Sequence, residues 1–193
     1  KLSENKKLFN NENPIFYYNP HWEIELSSYL KWKEIILQFF KKNKNYNLIF
    51  SPHPLVGHLS TKRGYEINEK DIAEDNILVD MGSNQCLDGT YTSIADIYIG
   101  DISSMVTEWV LQKPRPCIFI NAHNVNWKNN DNYYMWKFGK VVNELKEFEE
   151  AITDSISYNQ YNEIQKILKS EFIYTTEKSS SDMFADFITK KVC

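Results

Sequence analysis

Apolar residues gather in short runs along this chain, separated by stretches of helical spacing or by polar loops. The runs are "PIFYY" (14–18), "YNLIFS" (46–51), "ILVD" (77–80), "DIYIG" (96–100) and "PCIFIN" (116–121), with a weaker sixth in "GKVV" (139–142). Each is short, rich in β-branched and aromatic residues, and bounded by turn-forming residues, so each predicts a buried strand. Between the first two, apolar residues fall at Ile24, Leu26, Tyr29, Leu30, Trp32, Ile35, Ile36, Phe39 and Phe40. The later spacings of three and four predict an amphipathic helix within 24–42. Further helices are predicted over 87–94, over 105–111 where Lys113-Pro114 ends it, and over 144–156, 160–170 and 181–191. Residues 54–76 read as irregular. Residues 1–13 are polar and Asn-rich and read as a tail or linker, which leaves 14–193 as one domain whose last helices pack back on the sheet.

Uninterrupted apolar strands alternating with helices imply a parallel sheet covered on both faces, an α/β Rossmann-like fold. In such sheets ligands bind outside the carboxyl ends of the strands. Those ends carry Asn19-Pro20-His21, Ser51-Pro52-His53-Pro54, Asp80-Met81-Gly82-Ser83, Gly100-Asp101-Ile102-Ser103-Ser104 and Asn121-Ala122-His123. Three of the four histidines directly follow strands, and His58 lies in the loop after His53. The predicted topology gathers them on one edge.

Composition narrows the partners. Of 193 residues, 42% are hydrophobic and 15% aromatic, enough for a substantial core. A net charge of −4 gives no basic field for nucleic acid. Lys41, Lys42 and Lys44 form a local basic run, which at a helix end complements the dipole. The cysteines, Cys86, Cys117 and Cys193, are odd in number and form no CxxC. No disulfide and no zinc site are expected, which suits a reducing compartment. No apolar run approaches the ~20 residues of a spanning helix. The chain begins without Met, in "KLSENKKLFNNENP", and is expected to be a piece of a longer protein.

Two constellations carry candidate chemistry. Gly100, Asp101, Ser103 and Ser104 precede a helix, whose first-turn N–H groups lack partners and whose dipole favours an anion. Gly100 would let a ligand approach the backbone; the alternative is ordinary capping by Ser and Asp. The sequence is neither a P-loop nor GxGxxG. His53, between two prolines, is positioned to donate to a phosphate or act as a general acid, or simply sits in a turn. Gly82 and Ser83 are candidate phosphate-binding residues, and Asn19, His21 and His123 are further candidates. Glu108, one turn into the helix, could accept ribose hydroxyls or could be a solvated carboxylate. "NWKNNDNYYMWKFG" reads as a lid, an acceptor surface or loop packing. No acidic cluster holds a metal: Asp71, Asp75 and Asp80 are spread out.

"YNPHW", "LIFSPHP", "ADIYIGDISSMVTEW" and "KPRPCIFIN", in this order over roughly residues 14–158, resemble the carboxyl-terminal half of the CDP-glycerol glycerophosphotransferase family. The resemblance implies the donor-binding domain of a GT-B-type transferase that makes teichoic-acid-type or capsule-type polymers. It implies donor phosphate and catalysis at His53, and phosphate binding at Asp101, Ser103 and Ser104. Glu108 falls near the place of a ribose-binding carboxylate. It further implies CDP-glycerol as donor substrate with no cofactor, and a polymer or glycan acceptor held by an amino-terminal domain. This chain would then be inactive alone, in a cytoplasmic enzyme with peripheral membrane contact. The chain departs from the family pattern at Ile102, at Glu108-Trp109 and at His21, where the family has Thr. A nucleotide-sugar transferase or epimerase and a non-catalytic nucleotide-binding domain are the alternatives.

Overall fold

The computed structural model describes residues 8–56, 72, 74–173 and 177–192. Its strands are β1 (Ile15–Asn19), β2 (Asn47–Phe50), β3 (Ile77–Val79), β4 (Ile97–Gly100), β5 (Cys117–Ile120) and β6 (Lys140–Val142). They form one sheet in the order β3-β2-β1-β4-β5-β6. Every pairing is parallel. The helices are α1 (Tyr29–Lys42), α2 (Thr90–Ile94), α3 (Met105–Gln112), α4 (Leu145–Ser157), α5 (Asn162–Phe172) and α6 (Ser180–Val192).

Successive strand residues point to opposite faces, and both faces are covered, which is why the strands read as continuous apolar runs. Phe16, Tyr18, Leu48, Phe50, Ile97 and Ile99 pack with α1 and α4. Tyr17, Ile49, Tyr98 and Phe119 pack on the other face with α3 and the segment 133–138. In α1, Trp32, Ile36, Leu37 and Phe40 are the buried stripe. In α4 it is Phe148, Ala151 and Ile152.

The first helix starts at Tyr29, where the three- and four-residue spacings begin. Residues 20–28 form a loop whose backbone is held elsewhere: Ser27 Oγ accepts from the Tyr29 N–H, and Asp101 takes the N–H of Ser28. Residues 8–13, expected to be tail, lie against the domain. Phe9 is buried, and the Asn11 and Asn47 side chains pair. Of the last helices, α4 and α5 bury side chains against the rest of the domain. In α5, Leu168 is buried, and Gln165 Nε2 donates to the carbonyls of Arg115 and Phe138. In α6 no described side chain is buried.

The aromatic segment 126–139 forms two short 3-10 helices, Trp127–Asn129 and Asp131–Phe138. Tyr133, Trp136 and Phe138 are buried, and Trp136 stacks on Phe119 at 6.0 Å. These rings cover the sheet, so packing accounts for them. Arg115 is a second internal fixture. Its guanidinium lies 3.5 Å from the Trp109 ring and donates to the carbonyls of Thr92, Ala95 and Trp109, which joins α2 to α3. Cys86 and Cys117 are buried thiols, not joined to one another.

Candidate functional site

The strand order reverses direction between β1 and β4, and the carboxyl ends of those strands flank the crevice that opens there. Register places Asn19 opposite Gly100. On the other side of β1, Tyr18 lies opposite Phe50, which brings the loops beginning Asn19-Pro20-His21 and Ser51-Pro52-His53 side by side. Three predicted site segments therefore meet at the switch point, on three adjacent strands.

Asp101 ties them together. It is fully buried. Its Oδ2 accepts from the N–H of His21 at 2.9 Å and of Ser28 at 3.0 Å, and its Oδ1 has no partner. Burial pushes its carboxyl up to about 6, against the pull of the Ser28 hydroxyl and of those N–H donors. Asp101 thus holds the β1–α1 loop against the β4–α3 turn. Its carboxylate is inside the protein, so it supports the site from beneath.

Gly100 has a packing role that its place before a helix does not show. A Cβ there would meet the Tyr98 side chain, with Cζ at 2.7 Å. Tyr98 and Gly100 share a sheet face, and the missing side chain makes room for the tyrosine, whose hydroxyl reaches toward the Asn19 carbonyl at 3.5 Å. The glycine serves internal packing.

The two serines divide. Ser103 Oγ accepts from the Met105 N–H at 3.2 Å, an ordinary local cap. Ser104 has helical backbone angles, makes no capping bond and is exposed. The first-turn N–H groups of Met105, Val106 and Thr107 already donate to Ser103 Oγ and to the Ser103 and Ser104 carbonyls, so what favours an anion at this end of α3 is the helix dipole.

His21 and His53 are both half-buried, with ring centroids 6.4 Å apart. Burial lowers the pKa of each, and for His21 the neighbouring His53 lowers it further. Trp22 stacks on His21 at 5.6 Å. His123 lies at the end of β5, and its Nε2 bonds the Ser27 carbonyl at 3.0 Å, so it braces the β1–α1 loop. Asn19 is buried and donates to the Ser51 carbonyl at 2.7 Å. Gly82 and Ser83 sit at the end of β3, where their N–H groups both donate to Asp80 Oδ1. Those donors are occupied within their own turn. His58 lies outside the described residues.

Glu108 is exposed on α3, and Gln112 Nε2 donates to its Oε1 at 3.2 Å. A narrow crevice beside it is lined by Gln85, Leu87, Gly89, Met105 and Glu108.

The family model described as CDP-glycerol:poly(glycerophosphate) glycerophosphotransferase matches residues 12–190. The chain belongs to this family. A search of curated proteins finds no match. Among solved structures, the glycotransferase of kitacinnamycin is similar with a TM-score of 0.55 and 13% identity, over 88% of this chain and 43% of that one. The spinosyn rhamnosyltransferase SpnG, solved with spinosyn aglycone, gives a TM-score of 0.52 and 7% identity, over 83% and 42%. The fold is that of a Rossmann-like domain of GT-B glycosyltransferases, and the chain spans less than half the length of these relatives.

Two departures from the family pattern fall in the core. Ile102 packs on the cluster around Tyr98, and Trp109 is fully buried under Arg115. Sequence reasoning missed Ser28 and the reason for Gly100. The alternation of Tyr98 and Gly100 on one strand was a readable signal for the second; Ser28 left none. Among the described residues no helix is long and apolar enough to cross a membrane.

Proposed function

We propose that this chain is the donor-binding domain of a transferase that moves glycerol phosphate from CDP-glycerol to a hydroxyl of a cell-surface polymer or glycan. The observation that carries the reading is the convergence of His53, His21 and the first turn of α3 at the switch point of a chain in the glycerophosphotransferase family. The diphosphate of the donor lies across that point. The cytidine lies over the open hollow on α3 lined by Ser104, Thr107, Glu108 and Gln112, with the ribose diol on the Glu108 carboxylate.

In the reaction the acceptor oxygen attacks the β-phosphorus and forms the new P–O bond. The bond from that phosphorus to the bridging oxygen breaks, and the bridging oxygen leaves as part of CMP. The acceptor proton passes to a base on an amino-terminal domain of the whole enzyme. The charge that develops on the leaving phosphate is met by a proton or hydrogen bond from His53 and by the Ser104 hydroxyl at the positive end of the α3 dipole. No cofactor enters this scheme. The whole enzyme works in the cytoplasm, at the membrane face where lipid-linked acceptors are presented.

Calorimetric titration of the chain with CDP, CDP-glycerol and UDP tests the reading. Binding of the cytidine compounds, weakened at least tenfold by His53→Ala, is the expected result. A preference for UDP would favour a nucleotide-sugar enzyme instead. Transfer should require the whole enzyme, and robust turnover by this chain alone would contradict the domain assignment.

A further inference from the structure

The loops after β1 and β2 repeat one arrangement. Each strand ends in a residue, a proline and a histidine: Asn19-Pro20-His21 and Ser51-Pro52-His53. The strands are parallel with Tyr18 opposite Phe50, so the two histidines occupy equivalent positions three residues further on. The loops are fastened to each other. The Ser51 N–H donates to the Tyr18 carbonyl, Asn19 Nδ2 to the Ser51 carbonyl, and the His53 N–H to the Pro20 carbonyl.

The rings are set in the same way as well. His21 Nδ1 accepts from the N–H of Glu23 at 3.0 Å, and His53 Nδ1 accepts from the N–H of Leu55 at 3.2 Å, two residues on in both cases. A neutral imidazole that accepts at Nδ1 carries its proton at Nε2. Burial favours the neutral form of both rings. Each histidine is therefore locked as an Nε2–H donor, and the Asp101 bond to the His21 N–H fixes the first of them to β4.

We propose that His21 and His53 form a matched clamp, two Nε2–H donors that share one phosphoryl group of a nucleoside diphosphate ester. The proposal rests on the donor-domain reading and adds His21 to it as a substrate-contacting residue. A ring separation of 6.4 Å lets a single phosphoryl group accept from both at an ordinary ~2.9 Å. Two neutral imidazoles also suit a metal ion, but among the described residues no third ligand completes such a group. A phosphoryl group needs only the two donors.

Paired substitutions separate binding from architecture. In His21→Asn the amide oxygen can stand in for Nδ1 and keep the Glu23 bond, while the Nε2 donor is gone. In His21→Gln the amide nitrogen reaches the Nε2 position, while the Nδ1 acceptor is gone. The test is calorimetry of the chain and of the corresponding His53 variants with CDP, UDP and inorganic pyrophosphate. The expected result is a loss of about tenfold or more in affinity for CDP and pyrophosphate in His21→Asn, with recovery to within about threefold in His21→Gln. Wild-type affinity in His21→Asn would overturn the clamp, and so would equal losses in both variants, which would mark a structural histidine. If wild type prefers UDP, the cytidine reading falls while the pyrophosphate series still decides the clamp. If wild type binds neither nucleotide nor pyrophosphate, both readings fall.

Discussion

Two aspartates stand at the same place in the fold and behave in opposite ways. Asp80 directly follows β3, and Asp101 directly follows β4. Burial raises the Asp80 pKa, but the Ser83 and Tyr91 hydroxyls and the N–H groups of Gly82 and Ser83 outweigh it and hold the carboxyl at about 2. All those donors come from the turn and short helix that follow. Asp101 has two backbone donors, both from the distant β1–α1 loop, and is wholly enclosed, so its carboxyl stands at about 6. The first arrangement closes a local turn. The second costs stability at neutral pH and in return fixes the loop that carries His21. The fold thus sets a buried carboxylate beneath the loop that carries one of the two histidines.

The largest effect should come from Asp101→Ala. It leaves the N–H groups of His21 and Ser28 without an acceptor, at about 1–3 kcal/mol each. Urea unfolding should show a loss of about 2–5 kcal/mol, and nucleotide affinity should fall with it because the His21 loop is released. Asp101→Asn retains an acceptor and removes the buried charge, so it should be far milder at pH 7. Equal losses in the two variants would break the comparison.

The pH dependence of stability sharpens it. Asp101 has a folded pKa of about 6, above its ordinary 3.8, so it binds more protons when folded. Its contribution is fully present below pH 3.8 and is lost as pH rises through 6, a difference of up to about 3 kcal/mol. Asp80 has a folded pKa of about 2, below 3.8. Its contribution is present above 3.8 and is lost as pH falls through 2, and solvent screening keeps it small. Relative to wild type, Asp101→Asn should therefore gain stability between pH 4 and 7. Asp80→Asn should lose it between pH 2 and 5. Unfolding curves across this range give both slopes, and slopes of the same sign would refute the contrast.

The sheet was legible because parallel strands buried on both faces leave unbroken apolar runs, and all six appear within a residue or two of their predicted places. The meeting of strand ends at one edge followed from the same rule. The pairing of His21 with His53 did not, because it depends on which strands are neighbours and in what register, and β1 pairs across 32 residues. Asp101 read as a phosphate-turn residue, since a local sequence cannot show that its partners come from residues 21 and 28. The packing role of Gly100 was hidden for a related reason. Glycine before a helix suggests ligand approach, while its actual neighbour, the Tyr98 ring, belongs to the same strand face. Ser28 left no signal: nothing local marks an N–H destined for a carboxylate 73 residues away.

Gly100→Ala comes next in size. The added methyl meets the Tyr98 ring, and overpacking of this kind costs about 1–3 kcal/mol. Tyr98→Phe in the same chain removes the hydroxyl and should restore part of the loss, a coupling that a double-mutant cycle in urea measures. Independent effects would mean that the glycine does not make room for the tyrosine.

The smallest effects separate the two serines beside Asp101. Ser103 caps α3 through the Met105 N–H, so Ser103→Ala should lower stability by about 1 kcal/mol. Ser104 is exposed and makes no cap bond, so Ser104→Ala should leave stability within about 0.5 kcal/mol of wild type. It should instead weaken diphosphate binding severalfold, because one hydroxyl donor to an anion is removed. Thermal melts and calorimetry with CDP on the same two variants give the crossed pattern. If Ser104→Ala loses stability and keeps affinity, the start of α3 is only a helix cap, and the donor phosphates must be held by the histidine loops alone.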